Sequence, residues 1–160
     1  MHPNAELIKK FYNAFQKLDA DTMLVCYHTD VTFYEPAFQD LDSKEARAMW
    51  RMLTERAKDF SLTYHGTAAD DRHGRVHWDA TYIFSKTGRK VVNSIDAEFE
   101  FKNGLIYRHR DEFDLRKWAG MALGPTGKLL GWTPLMKSII RKNARKGLNA
   151  YLEQQANHSA

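Results

Sequence analysis

The chain has 160 residues, 43% of them hydrophobic and 28% charged, and a formal net charge of +4, which suits one domain with a self-sufficient core. Its one cysteine, Cys26, excludes an intrachain disulfide and fits a reducing compartment. Met1-His2-Pro3-Asn4 does not open a leader, and no run approaches the ~18 apolar residues of a membrane span, so a cytoplasmic protein without an integral membrane segment is expected.

Asn4 is placed to cap a first helix whose Leu7, Ile8, Phe11, Tyr12, Phe15 and Leu18 form one apolar stripe. Asp19-Ala20-Asp21 breaks it and caps a short second helix through Tyr27, with Cys26 on its buried face. Asp30 to Tyr34 reads as a short strand, and Glu35-Pro36 ends it because proline cannot continue a ladder. Asp42-Ser43-Lys44-Glu45 resembles a capping box and opens a third helix with Ala46, Met49, Trp50, Leu53 and Ala57 inward.

From residue 59 the hydrophobic period changes from about 3.6 to 2. Turn signals at Asp70 to Gly74, Lys86-Thr87-Gly88 and Lys102-Asn103-Gly104 divide the stretch into four antiparallel strands. The first carries Phe60, Leu62 and Tyr64 on one face, and the second Val76, Trp78, Ala80, Tyr82 and Phe84. The third alternates Val91, Asn93, Ile95, Ala97, Phe99 and Phe101 against Lys90, Ser94, Asp96, Glu98 and Glu100. In the fourth the apolar set is Leu105, Tyr107, His109, Asp111, Phe113 and Leu115, which sends an imidazole and a carboxylate inward. A buried carboxylate costs several kcal/mol, to order of magnitude, unless it is paired or its pKa rises, so Asp111 and His109 invite a functional explanation.

Trp118 to Leu123 reads as helical, Gly124 to Gly127 as a loop, and Pro134 opens a terminal amphipathic helix. Lys137, Arg141, Lys142, Arg145 and Lys146 lie opposite its apolar Leu135, Met136, Ile139, Ile140, Leu148, Tyr151 and Leu152, a solvated basic face. No motif points to nucleic acid. His73 and His77 straddle a turn without a third ligand, so no metal is expected; Gly-rich phosphate loops and Gly-x-Ser-x-Gly elbows are absent from the sequence.

Segregated helices and antiparallel strands define an α+β fold, with three helices over one face of a curved sheet enclosing a pocket. The chain resembles the nuclear-transport-factor-2-like superfamily, in its SnoaL-like polyketide cyclase and ketosteroid-isomerase-like branch. The matching words are Phe11-Tyr12-Asn13-Ala14-Phe15, Tyr27 to Phe33 leading into Glu35-Pro36, and Asn103-Gly104-Leu105-Ile106 before His109-Arg110-Asp111. The resemblance covers about residues 5–117 and implies one cone-shaped domain over 1–160, with 118–155 as a helical extension.

Steroid-isomerase-like members place a base just before the proline, where Glu35 stands. Their oxyanion donors are a tyrosine of the first helix and a protonated aspartate of the third long strand, where Asp96 stands. Phe11 occupies the tyrosine's place, with Tyr12 one position off. Alternation puts Asp96 outward unless a bulge reverses it. SnoaL-like cyclases use an aspartate on the last strand, which Asp111 matches. The arginine that epoxide hydrolases of this superfamily carry two residues before their aspartate is His109 here.

The expected catalytic residues are therefore Asp111, His109 and Glu35. His109 and Asp111 are read as about 6.5–7 Å apart along the strand, too far for a direct bond. Asn93 supplies an amide, Trp50, Trp78, Tyr82 and Phe113 flat walls, and Tyr12 and Asp96 further substrate contacts. The implied chemistry is cofactor-independent general acid/base catalysis, of isomerase, cyclase or dehydratase type, on a hydrophobic cyclic or polyketide-like compound. The other reading is a non-catalytic ligand-binding or dimerisation module, in which a buried arginine or tyrosine holds Asp111 and a backbone carbonyl holds His109. In either case a homodimer through the outer sheet face or the terminal helix is expected.

Overall fold

The computed structural model describes residues 1–159. Helices α1 (Pro3–Gln16) and α2 (Ala20–Val25) lead into strand β1 (Tyr27–Tyr34), and α3 (Ser43–Arg56) precedes the meander β2 (Ser61–Ala69), β3 (His73–Phe84), β4 (Arg89–Lys102) and β5 (Leu105–Glu112). Helices α4 (Leu115–Leu123), α5 (Pro125–Leu130) and α6 (Pro134–Ser159) complete the chain. The five-stranded sheet has the order β1-β5-β4-β3-β2, antiparallel except where β1 runs parallel to β5. That pairing sets Phe33 beside His109 and brings the end of β1, and with it Glu35, to the last strand.

The meander follows the alternation closely. On β4, Val91, Asn93, Ile95, Ala97 and Phe99 are buried, while Val92, Ser94, Asp96 and Glu98 are exposed. Asn103 and Gly104 both take positive φ, 54° and 74°, which makes the two-residue turn between β4 and β5 and locks their register. The apolar stripe of α1 (Ile8, Phe11, Tyr12, Phe15) and Met49 and Trp50 of α3 cover the inner face.

Some boundaries fall elsewhere than expected. His2, not Asn4, caps α1: its Nδ1 accepts the Asn4 N–H at 3.1 Å, and the Asn4 side chain reaches the carbonyl of Asp70 at 2.9 Å. Helix α2 stops at Val25, so Tyr27 begins β1 and faces the core. On α3 Met52 is buried and Leu53 is exposed. On β5 the register slips by one residue between Glu100 and Phe101, so Ile106 points inward and Tyr107 outward before the expected alternation resumes at His109. This β-bulge absorbs the extra residue without moving His109 or Asp111 from the inner face. His73 and His77 both lie on β3 rather than astride a turn.

The stretch read as a loop at Gly124 to Gly127 opens α5 instead. A Cβ on Gly127 would stand 2.0 Å from the carbonyl oxygen of Ala119, so α5 packs on α4 backbone to backbone. Gly127→Ala is expected to prise α5 away at a cost of about 1–3 kcal/mol, read from urea unfolding.

Helix α6 returns across α3. Leu148 and Tyr151 join the main core, the Tyr151 hydroxyl donates to Glu55 at 2.9 Å, Arg145 pairs with Glu45, and Arg141 donates to the Pro36 carbonyl at 3.1 Å. Two members of the face read as solvated are therefore tied to the fold.

Candidate active site

Between sheet and helices lies a cavity of about 350 Å³, within the range of small-molecule sites. Phe15, Phe33, Trp50, Trp78, Tyr82, Phe113 and Trp118 give it aromatic walls, and Ile139, Ile140 and Ala144 of α6 close its side. Beside the exposed Asn143 of α6, its acidic and amide groups are Glu35, Asn93 and Asp111. All three are buried.

Asp111 is held from behind. The Trp50 indole N–H donates to the Tyr27 hydroxyl oxygen at 2.8 Å, that hydroxyl lies 2.7 Å from Nδ1 of His109, and Nε2 of His109 lies 2.9 Å from Oδ1 of Asp111. An indole nitrogen only donates, so Tyr27 accepts from Trp50 and passes its own proton toward Nδ1. Nε2 then carries the imidazole proton and donates it to Asp111, so that both ring nitrogens are engaged. Among the described residues no side chain bonds the other carboxylate oxygen of Asp111.

This arrangement corrects the separation read from the strand. The two Cβ atoms stand a pleat apart, but the imidazole and carboxylate arms lean together and close the gap. It also keeps His109 out of the cavity lining: the ring is fully buried, stacked 6.0 Å from Trp50 and tilted against Phe99 at 4.5 Å. Its partners are the Tyr27 hydroxyl and Asp111, with neither an arginine nor a backbone carbonyl among them.

Glu35 sits at the turn after β1, where its carboxylate accepts the backbone N–H of Phe38. Burial pushes its pKa up to about 7; the N–H groups of Phe38 and Ala37 oppose the rise, and the charge of Asp111 adds to it. Tyr82 is likewise raised to about 12 by burial, although the Trp118 indole donates to its hydroxyl at 2.9 Å. Because folded Glu35 binds its proton more tightly than an unfolded glutamate near ~4.3, the associated stability is fully present below about pH 4 and disappears as pH rises through about 7. Wild type is therefore expected to lose about 3 kcal/mol relative to Glu35→Gln between pH 5 and pH 8, measured by denaturant unfolding.

Asp96 and Tyr12 do not reach the cavity. Asp96 is exposed on the outer face, 2.7 Å from Nδ1 of His77, because β4 keeps its alternation without a bulge there. Beside it His65, His77 and Asp79 bring potential ligand atoms within 4.8 Å of one another, a group that spacing in the sequence did not reveal because His65 pairs with His77 across strands. Tyr12 is wholly buried among Phe11, Tyr64, Trp78 and Phe99, its hydroxyl without a hydrogen-bond partner and its pKa raised well above the usual value by burial and then by Asp111. Trp50, Trp78, Tyr82, Phe113 and Asn93 do line the cavity.

Sequence reading missed Tyr27 and the α6 wall. The odd set Tyr27, Val31 and Phe33 carried a signal for the first, masked by assigning Tyr27 to a helix. A second hollow of about 640 Å³ opens near the β2–β3 turn, where Glu100 lies 3.0 Å from Arg108.

Solved structures share this architecture. An epoxide hydrolase of the LEH-like type from M. tuberculosis superposes with a TM-score of 0.64 at 21% identity, covering 82% of this chain and 96% of its own. A protein of ketosteroid isomerase-like fold from Catenulispora acidiphila, in complex with trimethylamine, gives 0.65 at 11% identity, covering 81% and 98%. IdmH from Streptomyces antibioticus, a candidate polyketide cyclase, gives 0.63 at 16% identity, covering 75% and 98%. No curated protein matches the chain. The SnoaL-like domain model matches residues 8–109, from the first helix to the histidine behind Asp111, and the chain belongs to that family.

Proposed function

We propose that the protein is a cofactor-independent acid/base catalyst acting on a small hydrophobic cyclic compound, with Asp111 as the base. The observation that carries this reading is the Trp50–Tyr27–His109–Asp111 chain, which fixes one carboxylate oxygen and leaves the other toward an aromatic cavity. A carboxylate oriented this way can take a proton from carbon next to a carbonyl. Glu35, with its pKa near 7, can give its own proton to another carbon of the enolate and be reprotonated as Asp111 releases the proton it took, while the Asn93 amide supports the enolate oxygen. Steady orientation by His109 makes it a positioning residue.

The family membership supports the pocket, while the reactions of the similar structures differ, so the substrate class rests on the walls: flat, apolar and sized for a compact ring system. The test is deuterium incorporation into a panel of cyclic ketones and enones in deuterium oxide. Incorporation at the α-carbon is expected for ligands that quench tryptophan fluorescence on binding. Tight binding across the panel without exchange would favour a non-catalytic ligand carrier.

A further inference from the structure

Between Leu115 and Leu152 the sequence places eight of the protein's 24 basic residues and none of its 20 acidic ones. The remainder of the chain is therefore net negative, by four charges. Within this basic segment lie the exposed apolar side chains of Leu129, Leu130, Trp132, Leu135 and Ile139. Leu129, Leu135 and Trp132 keep 73%, 72% and 60% of their surface in water.

Local structure explains why they are outside. Helix α5 meets α4 through Gly127 at backbone contact, so its leucines have no inner face to occupy. The Trp132 indole donates to the Leu129 carbonyl at 3.0 Å, which fixes the ring beside α5. On α6, Leu135, Ile139, Lys142 and Lys146 follow one another at helical spacing on the exposed side, so that stripe is apolar at one end and basic at the other.

We infer that this face docks on an anionic lipid surface, with Leu129, Trp132 and Leu135 entering the headgroup boundary and Lys128, Lys142 and Lys146 meeting lipid charge. Apolar insertion beside a basic face is the pattern of interfacial binding. No helix among the described residues is long and apolar enough to cross a membrane, so the association is peripheral. Self-association through the same face would bring two strongly cationic surfaces together, which opposes a second copy as occupant. Ile139 is both exposed here and part of the cavity wall, and Leu123 and Trp118 line the cavity nearby, so docking sets the side of the cavity against the membrane. An apolar ligand could then pass from lipid to pocket without crossing water. The docking itself does not depend on catalysis by Asp111.

The test is sedimentation of the full chain with vesicles of phosphatidylcholine alone or mixed with phosphatidylglycerol. Half-binding to the mixed vesicles is expected at lipid concentrations at least about tenfold lower than to phosphatidylcholine alone, with release when salt rises from about 0.1 M to about 0.5 M. Trp132→Ser with Leu135→Ser should weaken binding at least about tenfold while leaving the thermal unfolding curve in place. Failure of wild type to pellet with mixed vesicles would overturn the proposal, as would undiminished pelleting of the double variant. A wild-type dimer in light scattering that the double variant abolishes would assign the face to a second copy and overturn it too. None of these outcomes bears on α-proton exchange, which is read in solution.

Discussion

Exchange of Asp111 for asparagine is expected to slow α-proton exchange by about 10²- to 10⁴-fold, the usual contribution of a positioned base. It should move the melting temperature by no more than about 2 °C. Asparagine keeps the shape and an amide oxygen that accepts from Nε2 of His109, so the buried chain to Tyr27 and Trp50 survives. What disappears is the group able to bind a proton from carbon. A second readout follows from electrostatics. The charge of Asp111 contributes to raising Glu35, so in Asp111→Asn the Glu35 pKa should fall below its wild-type value of about 7. The fall should be visible in a pH profile of stability as a shift to lower pH of the loss that in wild type runs through about pH 7. Normal exchange in the variant would reject Asp111 as base, and a large stability loss with normal exchange would assign it a purely structural role.

His109→Ala should be the most damaging single change to the fold of those considered, at about 3–5 kcal/mol. It opens a void bordered by Phe11, Phe33, Trp50 and Phe99, whose rings stand 4.5–6.0 Å from the imidazole. It also leaves Tyr27 without an acceptor and Asp111 without its donor, each buried. The melting temperature should drop by about 10 °C or more. Because part of the loss is the stranded hydroxyl, Tyr27→Phe should cost less in the His109→Ala background than in wild type, by about 1–2 kcal/mol. Additive losses in that urea-unfolding cycle would show that the two side chains do not act as a unit. Exchange kinetics separate positioning from simple stability: below the variant's melting temperature, His109→Ala should lower the turnover rate more than it weakens ligand binding.

The meander and its facing were legible in the sequence because a period of two admits only two settings, and the wrong one would put Glu98 and Glu100 in the core. The Asn103-Gly104 turn fixed the register further. For the same reason Asn93 and Asp111 could be placed on the inner face, and Asp96 read by alternation stays outside, where resemblance alone would have put it in the site. The β5 bulge was not legible, since one extra residue changes the pairing but leaves no compositional mark. Trp78 and Tyr82 followed their strand period into the cavity, while Tyr12, one helical position from the face that the family uses, turned into the core.

The sequence by itself determined most of the elements, the sidedness of the sheet and the burial of a carboxylate, because these depend on neighbours within a few residues. Only the tertiary structure decided what that carboxylate touches. Parallel pairing of β1 with β5 brings Tyr27 to His109 across 82 positions, and α3 adds Trp50 behind it. Strand period says which way a side chain points, but the partner it meets there depends on long-range packing. The same holds for α6: its charges were countable in the sequence, yet its role as a wall of the cavity arises from where the chain returns.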